Sequence, residues 1–191
     1  MARNFVTLWV GGAAWNHDHW QRRTGKKPTK EQFEPLSWAL IEWGRKTHAG
    51  VYLMALEELQ RASRDVAHKF VNFDVWLTPT LAEPPVPLGT FKAAPDNPLQ
   101  GFFRAGLFMP FTPLCNITGQ PAMSVPLFWN EEGLPIGTHF VGRFGDEATL
   151  FRLAAQLEEA RPWADRPFGP ERGSSPSSMS SFVHLRDSTR G

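Results

Sequence analysis

Residues 110–146, PFTPLCNITGQPAMSVPLFWNEEGLPIGTHFVGRFGD, decide how the rest of the chain is read. Ala122–Phe128 is mostly apolar and is bounded by Pro121 and by Asn130-Glu131-Glu132-Gly133. Ile136–Val141 then alternates apolar with small or polar residues. Two such runs across a short glycine-containing loop predict an antiparallel hairpin, with the loop carboxylates at a solvent tip. Thr112–Ile117 reads as a short helix, and Gly119-Gln120-Pro121 as the turn that follows it. Asn116, Thr118, Gly119 and Gln120 thereby make a polar corner between apolar segments. Such a corner can offer donors to a substrate carbonyl, and its Asn and Thr can equally cap the helix and shape the turn. The residues alone leave both readings open.

Past the hairpin, Asp146-Glu147-Ala148-Thr149 opens a helix. Asp146 is placed as its N-cap, and Leu150, Leu153, Ala154 and Leu157 form a buried stripe that ends at Pro162. Beyond Pro167 the composition turns to GPERGSSPSSMSS, with few side chains able to bury surface, so 168–191 is expected to be a disordered tail after a domain spanning 1–167.

Upstream, Leu36, Ala39, Leu40 and Trp43 recur at helical spacing and predict a helix ending near Ala49-Gly50. Val51, Ala55, Leu59, Ala62, Val66 and Phe70 line a second, longer one. Val75-Trp76-Leu77 reads as a buried strand feeding Thr80–Pro98, a proline-rich loop that cannot be regular and is expected to cover a site or wrap a neighbouring element. Gly101–Met109 reads as a short helix or turn. The first thirty or so residues are harder to assign: Phe5, Trp9, Trp15 and Trp20 mark a buried face, but Gly11-Gly12 would interrupt a helix. The apolar run Phe5–Ala14 falls well short of the roughly 20 residues a membrane span needs, so it reads as a buried segment.

The 191 residues carry 20 Lys and Arg against 19 Asp and Glu, so no overall field draws the chain to nucleic acid or anionic lipid. The cluster Arg22-Arg23…Lys26-Lys27…Lys30 reads as a solvated loop. One cysteine, Cys115, allows no intrachain disulfide and suits a reducing, cytoplasmic setting. His17 and His19, two residues apart, point away from each other on a helix and make a poor metal pair there. No Gly-rich phosphate loop, H-E-x-x-H or G-x-S-x-G occurs, and Ser124 has no Lys or His near it in sequence to activate it. No metal or cofactor is called for.

The block 110–163 resembles the C-terminal part of amidase signature family enzymes, the bacterial amidases in particular. The resemblance rests on N-x-T-G-x-P-A-x-S-V-P at Asn116–Pro126, G-L-P-I-G at Gly133–Gly137 and G-x-F-G-D-E at Gly142–Glu147. FEPLSWALIEWGRK and DVWLTPTLAEPPVPLGTF resemble the family in the same order, extending the likeness to Phe5–Trp163. It implies an α/β fold, the C-terminal part of an α/β/α arrangement around a mixed sheet, incomplete in this chain. It also implies hydrolysis of small-molecule carboxylic amides by a Ser nucleophile, a bridging Ser in a cis peptide and a Lys base, with backbone donors holding the oxyanion. Those groups belong to the family's N-terminal half. Their Gly-Gly-Ser-Ser-Gly-Gly-like motif is absent here, and Gly173-Ser174-Ser175, in the tail, does not replace it. No catalytic residue is therefore carried over, and the chain alone is expected to be inactive. Since the C-terminal half contributes pocket walls in the family, Cys115, Asn116, Thr118 and Gly119 are the candidate substrate-lining residues. The expected partner is the missing N-terminal half, or a second copy of the chain. A non-catalytic binding module of the same fold and a likeness to an amidotransferase A subunit are the alternatives.

Overall fold

A helix survives two consecutive glycines at the start of this chain, and a neighbour needs the first of them small. In the computed structural model, which describes residues 1–94 and 96–166, α1 (Ala2–Thr24) runs unbroken for 23 residues through Gly11 and Gly12. A Cβ at Gly11 would stand 3.0 Å from the Tyr52 ring. The sequence leads one to expect a break here; packing offsets the roughly 1 kcal/mol per glycine that propensity charges. α1 ends at Gly25, left-handed at φ 68°, and Arg22 and Arg23 in its last turn complement the helix dipole.

α2 (Pro35–Arg45) starts on a proline, whose missing N–H costs nothing in a first turn. It lies against α1 at Gly44, where a Cβ would meet the Val10 carbonyl oxygen at 1.9 Å and the Ala14 Cβ at 2.9 Å. Before it, the Thr29 N–H donates to Gln32 Oε1, closing the single turn Lys30–Gln32. α3 (Ala49–Lys69) buries Ala55, Leu59 and Val66, with Phe70 just after its end, and turns Glu57 and Arg61 outward as an ion pair. Of the stripe expected to be buried, Ala62 is only partly so and Val51 is half exposed.

β1 (Val75–Pro79), β2 (Ala122–Trp129) and β3 (Pro135–Gly142) form a three-stranded antiparallel sheet in the order β1-β3-β2. β2 and β3 are the expected hairpin. Its register slips between Pro126 and Phe128, which makes Leu127 the extra residue of a bulge. At the tip, Asn130 Oδ1 accepts from the N–H groups of Glu132 and Leu134, and Glu131 and Glu132 are exposed.

Each face of the sheet is covered in part, with Leu77, Phe128 and Ser124 left exposed. α6 (Glu147–Ala160) sets Leu150, Leu153 and Leu157 against Val125, Leu127 and Phe140. The end of α3 and the short α5 (Pro113–Thr118) set Val66, Phe70 and Leu114 against Trp76 and Val141 on the opposite face. The layering is α/β/α, with α1 and α2 stacked outside α3. Asp146 caps α6 as its sequence suggests: Oδ1 accepts from the Thr149 N–H and Oδ2 from its hydroxyl. Within the described residues all strand pairs are antiparallel; the mixed sheet that the resemblance implies is represented by this antiparallel portion.

The proline-rich loop wraps α4 (Gln100–Phe108). Ala82 N–H donates to the Phe108 carbonyl, Arg104 pairs with Glu83 at 2.7 Å, and the Phe91 carbonyl lies where a side chain on Gly101 would be. α4 in turn sets Phe102 edge-on to Trp9 and Phe103 near Trp43, joining the loop to the helical layer. Residues 168–191, with Gly173-Ser174-Ser175, lie outside the described residues.

Candidate functional site

α5 is too short to persist unsupported, and three things hold it. Pro113 starts it, Gly119 ends it in the left-handed region at φ 72°, and the Gln120 amide nitrogen donates to the Gly142 carbonyl at 2.8 Å, tying its end to the end of β3. The Ser63 hydroxyl adds a longer contact to the Ile117 carbonyl, 3.4 Å. The turn after α5 is therefore fixed on the sheet rather than swinging at a loop tip.

The four candidate residues fall on this element but do not face one way. The Cys115 side chain turns to the sheet and packs with Val66, Phe70, Trp76 and Val141. Asn116, one position on, is exposed and lines a cavity of about 400 Å³ between α1, α3 and α5, shared with Phe5, Trp9, Leu59 and Gln60. Thr118 Oγ1 accepts from the Gln120 N–H at 3.3 Å, the turn-shaping role its type allows. Gly119 is exposed, with the Phe144 ring 3.1 Å from where its Cβ would be. Gln120 is buried, and its Oε1 has no partner among the described residues.

Cys115 has a neighbour that sequence reasoning missed. His139 is 4 % exposed; its Nδ1 lies 3.0 Å from Thr78 Oγ1 and its Nε2 4.0 Å from Cys115 Sγ. Burial pushes the Cys115 thiol up and pulls the His139 imidazole below its ordinary value. Both shifts favour the neutral pair, the reverse of what a cysteine nucleophile requires. Ser124 is also closer to a histidine than sequence distance suggests, since the ladder pairs it directly with His139. Its hydroxyl, however, bonds Thr80 Oγ1 at 2.6 Å. The only sequence signal for His139 was one imidazole in a strand otherwise built of apolar and small residues.

His17 and His19 part company as helical spacing requires. His17 is buried against Phe33 and Trp38, with its Nδ1 2.9 Å from Asp18 Oδ1 and 3.0 Å from the Arg45 guanidinium. His19 stacks on Trp15. The Arg45 hydrogen bond, and after it that of His17, hold the Asp18 carboxyl below the usual carboxylate range. This group clamps α1 to α2. Among the described residues, no three His, Cys, Asp or Glu side chains are grouped to hold a metal, and no helix is long and apolar enough to cross a membrane.

A helical layer over a β1-β3-β2 sheet, with the N-x-T-G turn pinned to its central strand, is an arrangement shared with known proteins. The amidase family profile matches residues 4–151. The chain belongs to the amidase family. It is similar to a Mycobacterium leprae protein that bears the name amidase AmiC, 38% identical over 148 residues, which are 75% of this chain and 31% of the relative. The 6-aminohexanoate-cyclic-dimer hydrolase of Paenarthrobacter ureafaciens is 30% identical over 74% of this chain and 30% of its own. A solved structure of 6-aminohexanoate cyclic dimer hydrolase superposes with a TM-score of 0.75 at 26% identity, over 83% of this chain and 35% of that one. A bacterial aryl acylamidase of the amidase signature family shares the fold, with a TM-score of 0.64 at 19% identity. The amidase-family chain thus spans about a third of the length of these relatives. Its α/β/α layers correspond to part of the amidase signature fold.

Proposed function

We propose that this chain is the C-terminal portion of an enzyme that hydrolyses small-molecule carboxylic amides, and that it builds one wall of the substrate site without supplying the nucleophile. The observation that carries the reading is the α5 turn, in which Cys115, Asn116, Thr118 and Gly119 follow one another on an element pinned to β3 by Gln120. A wall that must hold a planar amide within about 0.5 Å of a reacting group needs such a rigid mounting. Half-buried Thr118 and exposed Gly119 form the rim of this wall, Cys115 its floor against the sheet, and Asn116 its edge toward the helical cleft.

The groups that break the amide bond come from a portion bearing the family's two serines and lysine. The two candidate nucleophiles beside His139 are committed elsewhere: burial keeps Cys115 a thiol and Ser124 bonds Thr80. The partner in function is therefore the N-terminal part of the amidase fold, whether joined to this chain or supplied separately, and the setting is the cytoplasm.

Release of ammonia or amine from simple amides is the direct test. The purified 191-residue chain is expected to release none. Mixed with the N-terminal two thirds of the Mycobacterium leprae relative, it is expected to restore hydrolysis. Turnover by the chain alone would overturn the division of labour. Failure of every N-terminal partner to restore turnover, with a stable complex formed, would favour a non-catalytic binding module.

A further inference from the structure

Thr78, His139 and Ser124 occupy one row of the β1-β3-β2 ladder, on the face against which α3 and α5 pack, with His139 buried and Ser124 exposed. The next row holds Gly137, where a Cβ would stand 2.5 Å from Thr80 Oγ1 and 2.6 Å from Ser124 Oγ. Glycine there keeps space for the Thr80–Ser124 hydroxyl pair, which leaves the His139 ring to Thr78 on one side and Cys115 on the other. A polar row thus crosses three strands, from the buried His139 at its centre to the exposed Ser124 at its edge.

A neutral imidazole has one N–H and one lone pair. Thr78 Oγ1 can meet either. Sulfur is a weak acceptor, whereas a thiol hydrogen pointed at a bare ring nitrogen is the better use of the Nε2 side. The consistent arrangement has Nδ1–H donating to Thr78 Oγ1 and Cys115 S–H donating to Nε2. We infer that His139 is a positioning residue: held by Thr78 through Nδ1, it takes the Cys115 thiol hydrogen at Nε2 and fixes that side chain as an undissociated group of the substrate wall. This differs from a cysteine–histidine nucleophile, in which the proton passes fully to the ring and the thiolate attacks. The cluster that Cys115 packs against, with Val66 and Phe70 from the α3 end and Val141 from β3, is apolar and favours the uncharged pair. The consequence is a wall that does not compete with the serine nucleophile.

The inference rests on the reading of Cys115 as a wall residue, and the two can be separated. Nitrogen chemical shifts of His139, assigned with His139→Gln in the 191-residue chain, report the tautomer without substrate. The wild-type chain is expected to show a protonated Nδ1 and a bare Nε2 at neutral pH, and Cys115→Ala is expected to let the proton exchange between the two nitrogens. A protonated Nε2 in the wild type, or a spectrum unchanged by Cys115→Ala, overturns the assignment. Because the chain has one cysteine, iodoacetamide also reads Cys115 alone. His139→Leu is expected to raise its alkylation rate at pH 8 about threefold, the size of a modest lost hydrogen bond, and no increase counts against the inference. The wall reading fails instead if Cys115→Ala leaves KM unchanged in the reconstituted enzyme while the tautomer is as described.

Discussion

At Gly119 the chain turns with φ 72° while the Phe144 ring stands 3.1 Å from the position a Cβ would take. A left-handed backbone costs an ordinary residue about 1–2 kcal/mol, and here the ring must also give way. Gly119→Ala is therefore expected to destabilise the chain by about 2 kcal/mol, read as a lower urea midpoint at unchanged slope. His139 makes a second prediction at this scale. Its buried imidazole has a folded-state pKa below the ordinary 6.5, so the unfolded chain binds the proton first as the solution is acidified. The stability it contributes is present above about pH 6.5 and is lost as pH falls from there toward the lowered folded value. Urea unfolding at pH 7.5 and 5.5 is expected to show a loss that His139→Leu reduces; an equal loss in both proteins would mean that other groups carry it. Gly119 was legible as a turn residue from the Thr-Gly-Gln-Pro string. His139 was not, because its partners Thr78 and Cys115 lie far off in sequence and meet it only through strand pairing and the seating of α5.

Helix packing sets the next scale. α1 and α2 approach until Gly44 touches the Val10 backbone and the Ala14 side chain. A methyl group has no room at 1.9 Å from a carbonyl oxygen, so Gly44→Ala must push the helices apart. Overpacking of this kind typically costs about 1–3 kcal/mol, and the expected outcome is a lowered thermal midpoint with helical circular dichroism retained at low temperature. Gly12→Ala, where a Cβ meets nothing within 4 Å, is expected to leave the midpoint unchanged or raise it. The periodicity of α3 and α6 was open to reading because their apolar stripes repeat at helical spacing. α1 defeats that reading: its glycines and scattered tryptophans follow the contours of α2, α3 and α4, and Trp9, Trp15 and Trp20 are about half exposed instead of marking a buried face.

For the whole molecule, the consequence is a surface that carries large apolar side chains. Leu53, Met54, Trp15 and Leu107 are 60% or more exposed, and β1 and β2 each pair on one side only within the described residues. Edges and apolar patches of this kind promote association. The isolated 191-residue chain is expected to sediment as concentration-dependent oligomers, and addition of an N-terminal amidase portion is expected to convert them to a defined complex. A monomer that stays monomeric at high concentration and unfolds cooperatively would show that these surfaces need no cover.

By itself the sequence of residues 110–146 determined a great deal: the hairpin, the short helix, the capped α6 and the amidase resemblance that the family match bears out. These are local matters, settled by turn residues, caps and apolar spacing within a few positions of one another. Only the tertiary structure decided that α1 runs through two glycines, that the proline-rich loop wraps α4, and that Cys115 faces a histidine while Asn116 faces a helical cleft. Each of these depends on atoms brought together from distant parts of the chain, where burial and close approach outweigh local preference.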